Sequence, residues 1–480
     1  MPYNDLREFL EKLDAESELA RVEAQVDWDA EIGAISRRAL DLKAQTPHFV
    51  NVKGYPRGYS VLTNLLGPTK PTIQGRVALA MDLPKTTPTA KIIEAYAERI
   101  SRSIKPRLVP TGPCKENIQR GDEIDLFQFP TPRGHGTDGG RYLGAWHICV
   151  TRDPDSGWVN WGMYRMMIES KNTLGWLANP GQHGPSIYYQ KYEARGQAMP
   201  MAVAIGAEPV SHIVAASQFP PNVDEVDKAG ALRGAPVEVV KCETNDLEVP
   251  AGSEIVLEGE IRPYERELEG PFGEYTGYCA GERMPRPVFH VNCVTYRDNP
   301  ILTIVTPGKP WDGDSPMHTI TDSATLTNEL RAMGLRFKSV YVMPTKTTIC
   351  ISVSPPYPGY VHTVASAVWA TKTGLYKPYI ILVGEDVDVT NTDDVLWCLT
   401  SRLHPARDIH VQQYAPISVL MPFISRAERE TLLGARVAFD ATFPVEWPKE
   451  HTPTVVDLEH SWPADVVQKM LARWEEYGIH

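Results

Sequence analysis

Residues 253–261 read SEIVLEGEI. Ile255, Leu257 and Ile261 fall on one face of an extended chain and Glu254, Glu258 and Glu260 on the other, with Val256 the exception. A period of two marks a strand, not a helix. WHICVTRD (146–153) and PVFHVNCVTYRD (287–298) are rich in β-branched and aromatic residues and read as further strands. Several such strands with turn residues between them restrict the middle of the chain to an antiparallel barrel or sandwich.

The flanks carry a different pattern. Leu6, Phe9, Leu10 and Leu13 recur at helical spacing, and residues 29–44 and 91–104 also read as helices. TPGKPWDGDSP (306–316) reads as a linker or mobile loop. Beyond it, helices over 321–334, 361–373 and 393–403 alternate with the strands KSVYVMP, TTICISVSP and KPYIILVGED, which implies an α/β domain. The chain ends on WPADVVQKMLARWEEYG (462–478), a helix with the apolar stripe Val467, Met470, Leu471 and Trp474. Ser461 suits its cap, Pro463 its first turn and Gly478 its stop. Such a helix docks either on its own domain or on another subunit.

The formal net charge of −12 argues against nucleic acid as a partner. It leaves room for an anionic small substrate, because one arginine can hold a carboxylate. The seven cysteines are scattered and form no CxxC, which fits reduced thiols. The start, MPYNDLREFLEKL, lacks the apolar region of a signal peptide, and no apolar run approaches the ~20 residues of a membrane span. A cytoplasmic protein without a membrane span is the expectation.

LEGPFGEYTGY (268–278) sets Glu269 and Glu274 around Gly-Pro-Phe-Gly. An offset of five points two side chains apart in a strand and in a helix alike. Gly270 and Gly273 permit positive φ and Pro271 fixes one φ, which leaves a tight bend. The bend either folds both carboxylates toward one cavity or is a surface turn with two solvated acids. VNWGMYRMM (159–167) carries one arginine among apolar and aromatic residues. Period two places Trp161, Met163 and Arg165 on one face and Asn160, Gly162 and Tyr164 on the other. A charge there is costly to bury unpaired. Arg165 therefore pairs with acids, Glu269 and Glu274 being available, or faces a polar cavity; an ordinary inter-strand salt bridge is the plain alternative.

His183 stands beside Gln182 in NPGQHGPS (179–186), and PNVDEVD (221–227) offers Asp224, Glu225 and Asp227. A surface histidine and a solvated acidic loop are the default readings, although an Asn, a His and a Glu together suit Mn2+ or Mg2+. GEDVDVT (384–390) contains Asp386 and Asp388 at a spacing some metal-dependent transferases use, with a solvated strand end as the simpler reading. GHGTDGG (134–140) is glycine-rich but lacks the Gly-Lys-Ser/Thr of a phosphate loop. No GxSxG, HExxH or dinucleotide fingerprint occurs, which disfavours serine and zinc hydrolases.

NDLREFLEKLDAESEL (4–19), VNWGMYR (159–165), VVKCETNDLEVPAGSEIVLEGEI (239–261), LEGPFGEYTGY (268–278) and ILVGEDVDVTNTDDVLWCLTSRLHPARD (381–408) together resemble the UbiD family of prenylated-FMN-dependent decarboxylases. The resemblance is chain-long. It implies a multidomain α/β (α+β) fold: an N-terminal α/β region over 1–125, a split β-barrel flavin-binding domain over 126–305, a C-terminal α/β oligomerisation domain over 320–455 and a terminal helix over 456–480. It implies reversible decarboxylation of an aromatic, heteroaromatic or α,β-unsaturated acid, with CO2 as co-product. Arg165 would hold the substrate carboxylate, Glu274 would donate the proton, and Glu269 would hold Arg165 and tune Glu274. Some relatives carry Asp at the second acid position; this chain has Glu.

The resemblance also implies a divalent cation, Mn2+ or Mg2+, on Asn160, His183 and Glu225, bridging to the flavin phosphate. K+ is implied near AASQ (215–218), which includes Ser217. Lys372 matches a lysine on the phosphate, and Met163 and Gln182 match residues lining the isoalloxazine and substrate space. The loop at 306–320, with Trp311 and His318, lies where relatives build the substrate wall; His318 contacts a ring substituent or has a structural or surface role. A flavin prenyltransferase as cofactor supplier and a homodimer or homohexamer are implied as partners. Three other readings stand beside this one: an FMN-binding split-barrel reductase, a subunit of a multi-protein carboxylase, and a metal hydrolase.

Overall fold

In the computed structural model, which describes residues 3–280, 282–458 and 460–479, the chain opens on the helix Leu6–Ala15. Asp5 caps it by accepting the Glu8 amide at 3.0 Å, and Leu6, Phe9, Leu10 and Leu13 are all buried. Each such burial stabilises by about 1.5–3 kcal/mol, so the stripe anchors this end of the chain. The strands Leu19–Val22, Thr46–Phe49 and Ser60–Thr63 form a sheet whose fourth strand, Ile301–Ile304, arrives from far along the chain and pairs in parallel with Ser60–Thr63. The helix Glu31–Leu42 lies within the stretch expected, and Thr89–Ile100 starts two residues ahead of its expected stretch and ends four short of it.

The middle of the chain builds one nine-stranded sheet that curls into an open barrel. Its spine is the antiparallel pair Ile255–Glu269 and Met284–Tyr296. Thr173–Trp176, Met166–Ile168 and Tyr142–Gly144 extend it on one side; Met199–Ile205, His147–Arg152 and Val159–Gly162 extend it on the other. Asn117–Arg120 adds to Met284–Tyr296, so sheet pairing crosses position 125 there and again between Ile301–Ile304 and Ser60–Thr63. Gly259 sits where the spine is tightest: a Cβ there would lie 1.8 Å from the His290 carbonyl oxygen.

Both faces of this sheet are covered, which explains Val256. Ile255, Leu257 and Ile261 share one core with Met201, Val203 and Ile205. Val256 joins Ala202, Ala204 and Val150 in the other, against the helices Leu6–Ala15, Thr89–Ile100 and Ser315–Ala332. Two acids of the alternation, Glu254 and Glu258, are buried too, and Glu260 is partly exposed. Glu254 receives Arg7 through both oxygens at 2.8 Å and the Ile301 amide at 3.1 Å. Glu258 accepts the amides of Glu243 and Thr244 and the Thr244 hydroxyl. Hydrogen bonds replace the water these carboxylates lose.

The segment 306–316 is a hydrogen-bonded turn, not a loose linker. Asp312, fully buried, accepts the amides of Gly308 and Ser315 at 3.0 and 2.9 Å, and its own amide donates to the Ser315 hydroxyl. These bonds start the next helix at Ser315, ahead of the expected residue 321, with Pro316 in the first turn where its missing N–H costs nothing. A five-stranded mixed sheet follows, ordered Ser339–Val342, Thr348–Ser352, Tyr379–Val383, Leu433–Ala441, Ile409–Pro416, with the helices Tyr360–Ala370 and Thr392–Arg402. The last helix, Ala464–Ala472, buries none of its residues, and Leu471 is 55% exposed. Pro463, not Ser461, occupies its cap, because the Ser461 hydroxyl donates to the Val455 carbonyl. Among the described residues no helix is long and apolar enough to cross a membrane.

Candidate active site

The spine strand Ile255–Glu269 ends on the first acid. Gly270 then takes φ +102°, a left-handed conformation that glycine adopts without strain. Phe272–Gly273 pairs back with Cys279–Ala280, and the Glu274 amide donates to Tyr278 O at 3.0 Å. This bend turns both acids onto Arg165. Glu269 takes Arg165 bidentately, Nε to Oε1 at 2.8 Å and Nη2 to Oε2 at 3.0 Å. Glu274 accepts Nη1 through Oε1. The guanidinium carbon lies 5.1 Å from the centroid of the Phe272 ring and 5.9 Å from that of Tyr142.

Glu269 and Glu274 are 1% and 7% exposed, so this cluster of one cation and two acids has little solvent to screen it. Burial opposes the charge on Arg165, but Glu269 and Glu274 outweigh it and raise its pKa further. The Glu274 carboxyl is pushed up, first by burial and also by the Glu269 carboxylate, against the opposing pull of Arg165. A buried acid held toward its neutral form beside a fixed cation is an arrangement that can bind a carboxylate and donate a proton.

Three supporting residues carried no functional reading in the sequence. Tyr142 donates its hydroxyl to Glu269 and to Pro271 O, both at 3.0 Å. Asp138, from GHGTDGG, accepts the Gly273 amide at 2.9 Å, and Gly139 N donates to Pro271 O at 2.8 Å. That glycine-rich stretch is therefore a cradle for the bend. The available signal was one acid among glycines beside an aromatic residue. Tyr164 is the third. VNWGMYRMM is not one strand: it breaks between Val159–Gly162 and Met166–Ile168, and Tyr164 folds back so that its hydroxyl donates to Asn160 Oδ1 at 3.0 Å. A Cβ at Gly162 would lie 2.3 Å from that hydroxyl, so glycine makes the fold-back possible.

Asn160, His183 and Glu225 come together, all buried. Asn160 Nδ2 donates to Glu225 Oε1 at 3.1 Å, the Trp161 amide donates to Oε2 at 2.9 Å, and His183 Nδ1 lies 3.7 Å from Oε1. Lys372 joins them, with Nζ 2.7 Å from His183 Nε2 and 3.0 Å from Phe219 O. Burial lowers the Lys372 pKa to about 8, although Glu225 and Glu329 favour its charge. An amide, an imidazole and a carboxylate in one buried place suit Mn2+ or Mg2+, and the lysine brings positive charge to the same spot. Among the described residues no group of three or more His, Cys, Asp or Glu forms a metal cluster; this set draws its third donor from Asn160.

The other candidates divide. Met163 packs, partly buried, against the helix-side core, and Gln182 is exposed at the start of the turn His183–Ile187. The Ser217 hydroxyl is engaged by Tyr96 at 2.6 Å and donates to Ile213 O at 2.8 Å. His318 Nε2 lies 3.3 Å from Asp314, and Trp311 is partly buried. Asp224 and Asp227 are not simply solvated, since they hold the Val159 amide and Lys105. Asp386 is paired with Arg402, and Asp388 closes a turn with Thr390.

Three family models described as 3-octaprenyl-4-hydroxybenzoate carboxy-lyase match the chain: the N-terminal domain over residues 10–96, the Rift-related domain over 107–310 and the C-terminal domain over 316–441. The pyrrole-2-carboxylic acid decarboxylase of Pseudomonas aeruginosa is 33% identical, across 99% of this chain and 98% of its own. The closed form of the vanillic acid decarboxylase of Sedimentibacter hydroxybenzoicus superposes with a TM-score of 0.89 at 31% identity, over 100% of both chains. An evolved dimeric form of the UbiD-class enzyme HmfF from Pelotomaculum thermopropionicum, in complex with prenylated FMN, superposes with a TM-score of 0.79 at 30% identity, over 94% of this chain and 97% of its own. The fold and these full-length matches agree: the chain belongs to the UbiD family of carboxy-lyases.

Proposed function

We propose that the chain catalyses the reversible, non-oxidative decarboxylation of an aromatic, heteroaromatic or α,β-unsaturated carboxylic acid with prenylated FMN as cofactor. The observation that carries this reading is one largely enclosed guanidinium shared between two acids of different attachment. Glu269 occupies Nε and Nη2, which fixes the plane of Arg165. Glu274 occupies Nη1 alone, and a substrate carboxylate replaces it there as a charge-assisted partner. The displaced Glu274 carboxyl, kept neutral by burial, donates its proton to the carbon that CO2 leaves and is reprotonated from solvent. Prenylated FMN, when bound, supplies the sink for the electron pair that departing CO2 leaves behind.

In this reading Asn160, His183 and Glu225 would hold Mn2+ or Mg2+, whose charge, with that of Lys372, would offset the flavin phosphate. K+ would bind near 215–218, and Met163 and Gln182 would line the isoalloxazine. Relatives named for pyrrole-2-carboxylic and vanillic acids, and the prenylated-FMN complex of HmfF, support the substrate class and the cofactor. A flavin prenyltransferase supplies that cofactor in a shared cytoplasm. The exposed helix Ala464–Ala472 supports assembly into a homodimer or homohexamer.

The test is the mass of the small molecule released on denaturation, after co-expression with a flavin prenyltransferase and purification in the dark with Mn2+ and K+. Prenylated FMN is expected. Plain FMN would favour a split-barrel reductase, and no flavin would favour a non-catalytic subunit.

A further inference from the structure

Tyr275 follows Glu274 directly, and its ring points into the C-terminal unit. It packs on Ile417, Met421 and Ile424, its hydroxyl lies beside Ser418, and the Lys346 ammonium stands 5.4 Å from the ring centroid. Lys346 is itself buried. It is paired with Asp314 and lies 3.6 Å from Asp312, both at the start of the helix Ser315–Ala332. One aromatic side chain thus meets a loop and a turn of the C-terminal unit, and through Lys346 is linked to the start of a helix.

The hairpin that carries Glu274 has little strength of its own. Phe272–Gly273 and Cys279–Ala280 are two residues each, and a two-stranded hairpin is marginal even when longer. Asp138 and Gly139 fix its first half through Gly273 and Pro271. In its second half Gly277, Tyr278 and Cys279 are exposed. Between the halves, the apolar grip is on Tyr275.

We infer that Tyr275 is a positioning residue: by clasping its ring with Ile417, Met421, Ile424 and Lys346, the C-terminal unit holds the neighbouring Glu274 carboxyl against Arg165. The inference rests on the reading of Glu274 as proton donor and adds a second domain to the placement of that proton. Arg165 alone does not set it, because it gives Glu274 a single Nη1 contact, and the hydrogen bonds of Asp138 and Gly139 stop at Gly273 and Pro271, ahead of Glu274.

The experiment compares Tyr275→Ala, Tyr275→Phe and Lys346→Met in the flavin-loaded protein, with Glu274→Gln alongside. Amide hydrogen exchange across 271–279 and steady-state kinetics are the readouts. Tyr275→Ala is expected to speed exchange of the Glu274 and Gly277 amides at least about tenfold and to lower kcat by a similar factor, with KM and flavin content little changed. Lys346→Met is expected to move both in the same direction by less. Tyr275→Phe, which keeps the ring, is expected to stay within about twofold of wild type in both. Unchanged exchange and kcat in Tyr275→Ala would overturn the inference. So would equal impairment of the Phe variant, or exchange that rises evenly over the whole chain. If Glu274→Gln abolishes turnover while Tyr275→Ala does not impair it, the inference fails alone. If Glu274→Gln turns over normally, the donor reading fails, and exchange still decides whether Tyr275 fixes the hairpin.

Discussion

Tyr142 donates its hydroxyl to Oε1 of Glu269 at 3.0 Å, onto the oxygen that already receives Nε of Arg165 at 2.8 Å. Burial and the Glu269 carboxylate raise the phenol pKa, so it remains a donor throughout the neutral range. Tyr142→Phe leaves a buried carboxylate one partner short. The expected loss is about 1.5–3 kcal/mol, the range for hydrogen bonds to charged groups, read from denaturant unfolding. An unchanged midpoint would mean that Arg165 alone satisfies Glu269.

The two acids predict a displaced pH profile. With Glu274 as the proposed proton donor, turnover is expected to fall as it loses its proton, and burial, with Glu269 adding to it, places that fall above the ordinary carboxylate range. Glu269→Gln removes the like charge and leaves Arg165 to act on Glu274 alone. Both changes favour ionisation in the free enzyme, so the alkaline limb of kcat/KM should move down by about 1–2 pH units. A limb that stays in place would assign it to another group.

Gly139 shows how closely the bend is packed. A Cβ there would lie 1.9 Å from the Gly270 carbonyl oxygen, a backbone atom that cannot swing aside. Gly139→Ala is expected to destabilise by about 1–3 kcal/mol and to cost more activity than stability, because the strain falls between Glu269 and Glu274. Thermal unfolding and turnover on the same preparation separate the two effects.

Glu329 carries a stability signal of opposite slope to most carboxylates. Burial raises its pKa from 4.5 to about 7, while Thr373 and Lys372 oppose the shift. Between those values the folded chain binds the extra proton, so stability falls as pH rises through the window. Glu329→Gln removes that slope. The variant should match wild type near pH 5 and exceed it at pH 8 by about 1–2 kcal/mol, the shift being discounted for the partly exposed carboxyl. Unfolding midpoints at the two pH values check it.

Metal and flavin are expected to leave together. Asn160 and Glu225 are hydrogen-bonded to each other, so removing His183 or Glu225 disturbs the whole donor set. His183→Ala and Glu225→Ala should each retain less than about a tenth of the wild-type metal and flavin, consistent with the cost of losing one ligand. Elemental analysis and flavin absorbance measure both. Full flavin without metal would sever the proposed bridge.

The order of elements was legible because it rests on local periodicity. Leu6 to Leu13 read as a helix and Ile255 to Ile261 as a strand, and both are so. What was not legible depends on distant partners. Nothing near Glu254 announces Arg7, which covers it across most of the chain. Residues 312–316 read as a loop because Asp312, Ser315 and Pro316 favour turns; only the buried hydrogen bonds of Asp312 make them a helix start. The bend at Gly270 and Gly273 was foreseeable, but its convergence on Arg165 was one of two open readings, since two solvated acids have the same sequence. Tyr164 was assigned to the wrong geometry because period two was carried through the interruption between the strands Val159–Gly162 and Met166–Ile168.

The parallel strand Ile301–Ile304 also has a consequence for synthesis. It is the only neighbour of Ser60–Thr63 on that side among the described residues. A nascent chain emerging at roughly 5–20 residues per second leaves that edge bare for on the order of tens of seconds. During that interval an apolar strand is open to any other chain that can add to it. The ribosome must finish nearly the entire barrel before the first sheet closes, so a stall or truncation within the barrel leaves an aggregation-prone stump in place of a folded N-terminal domain.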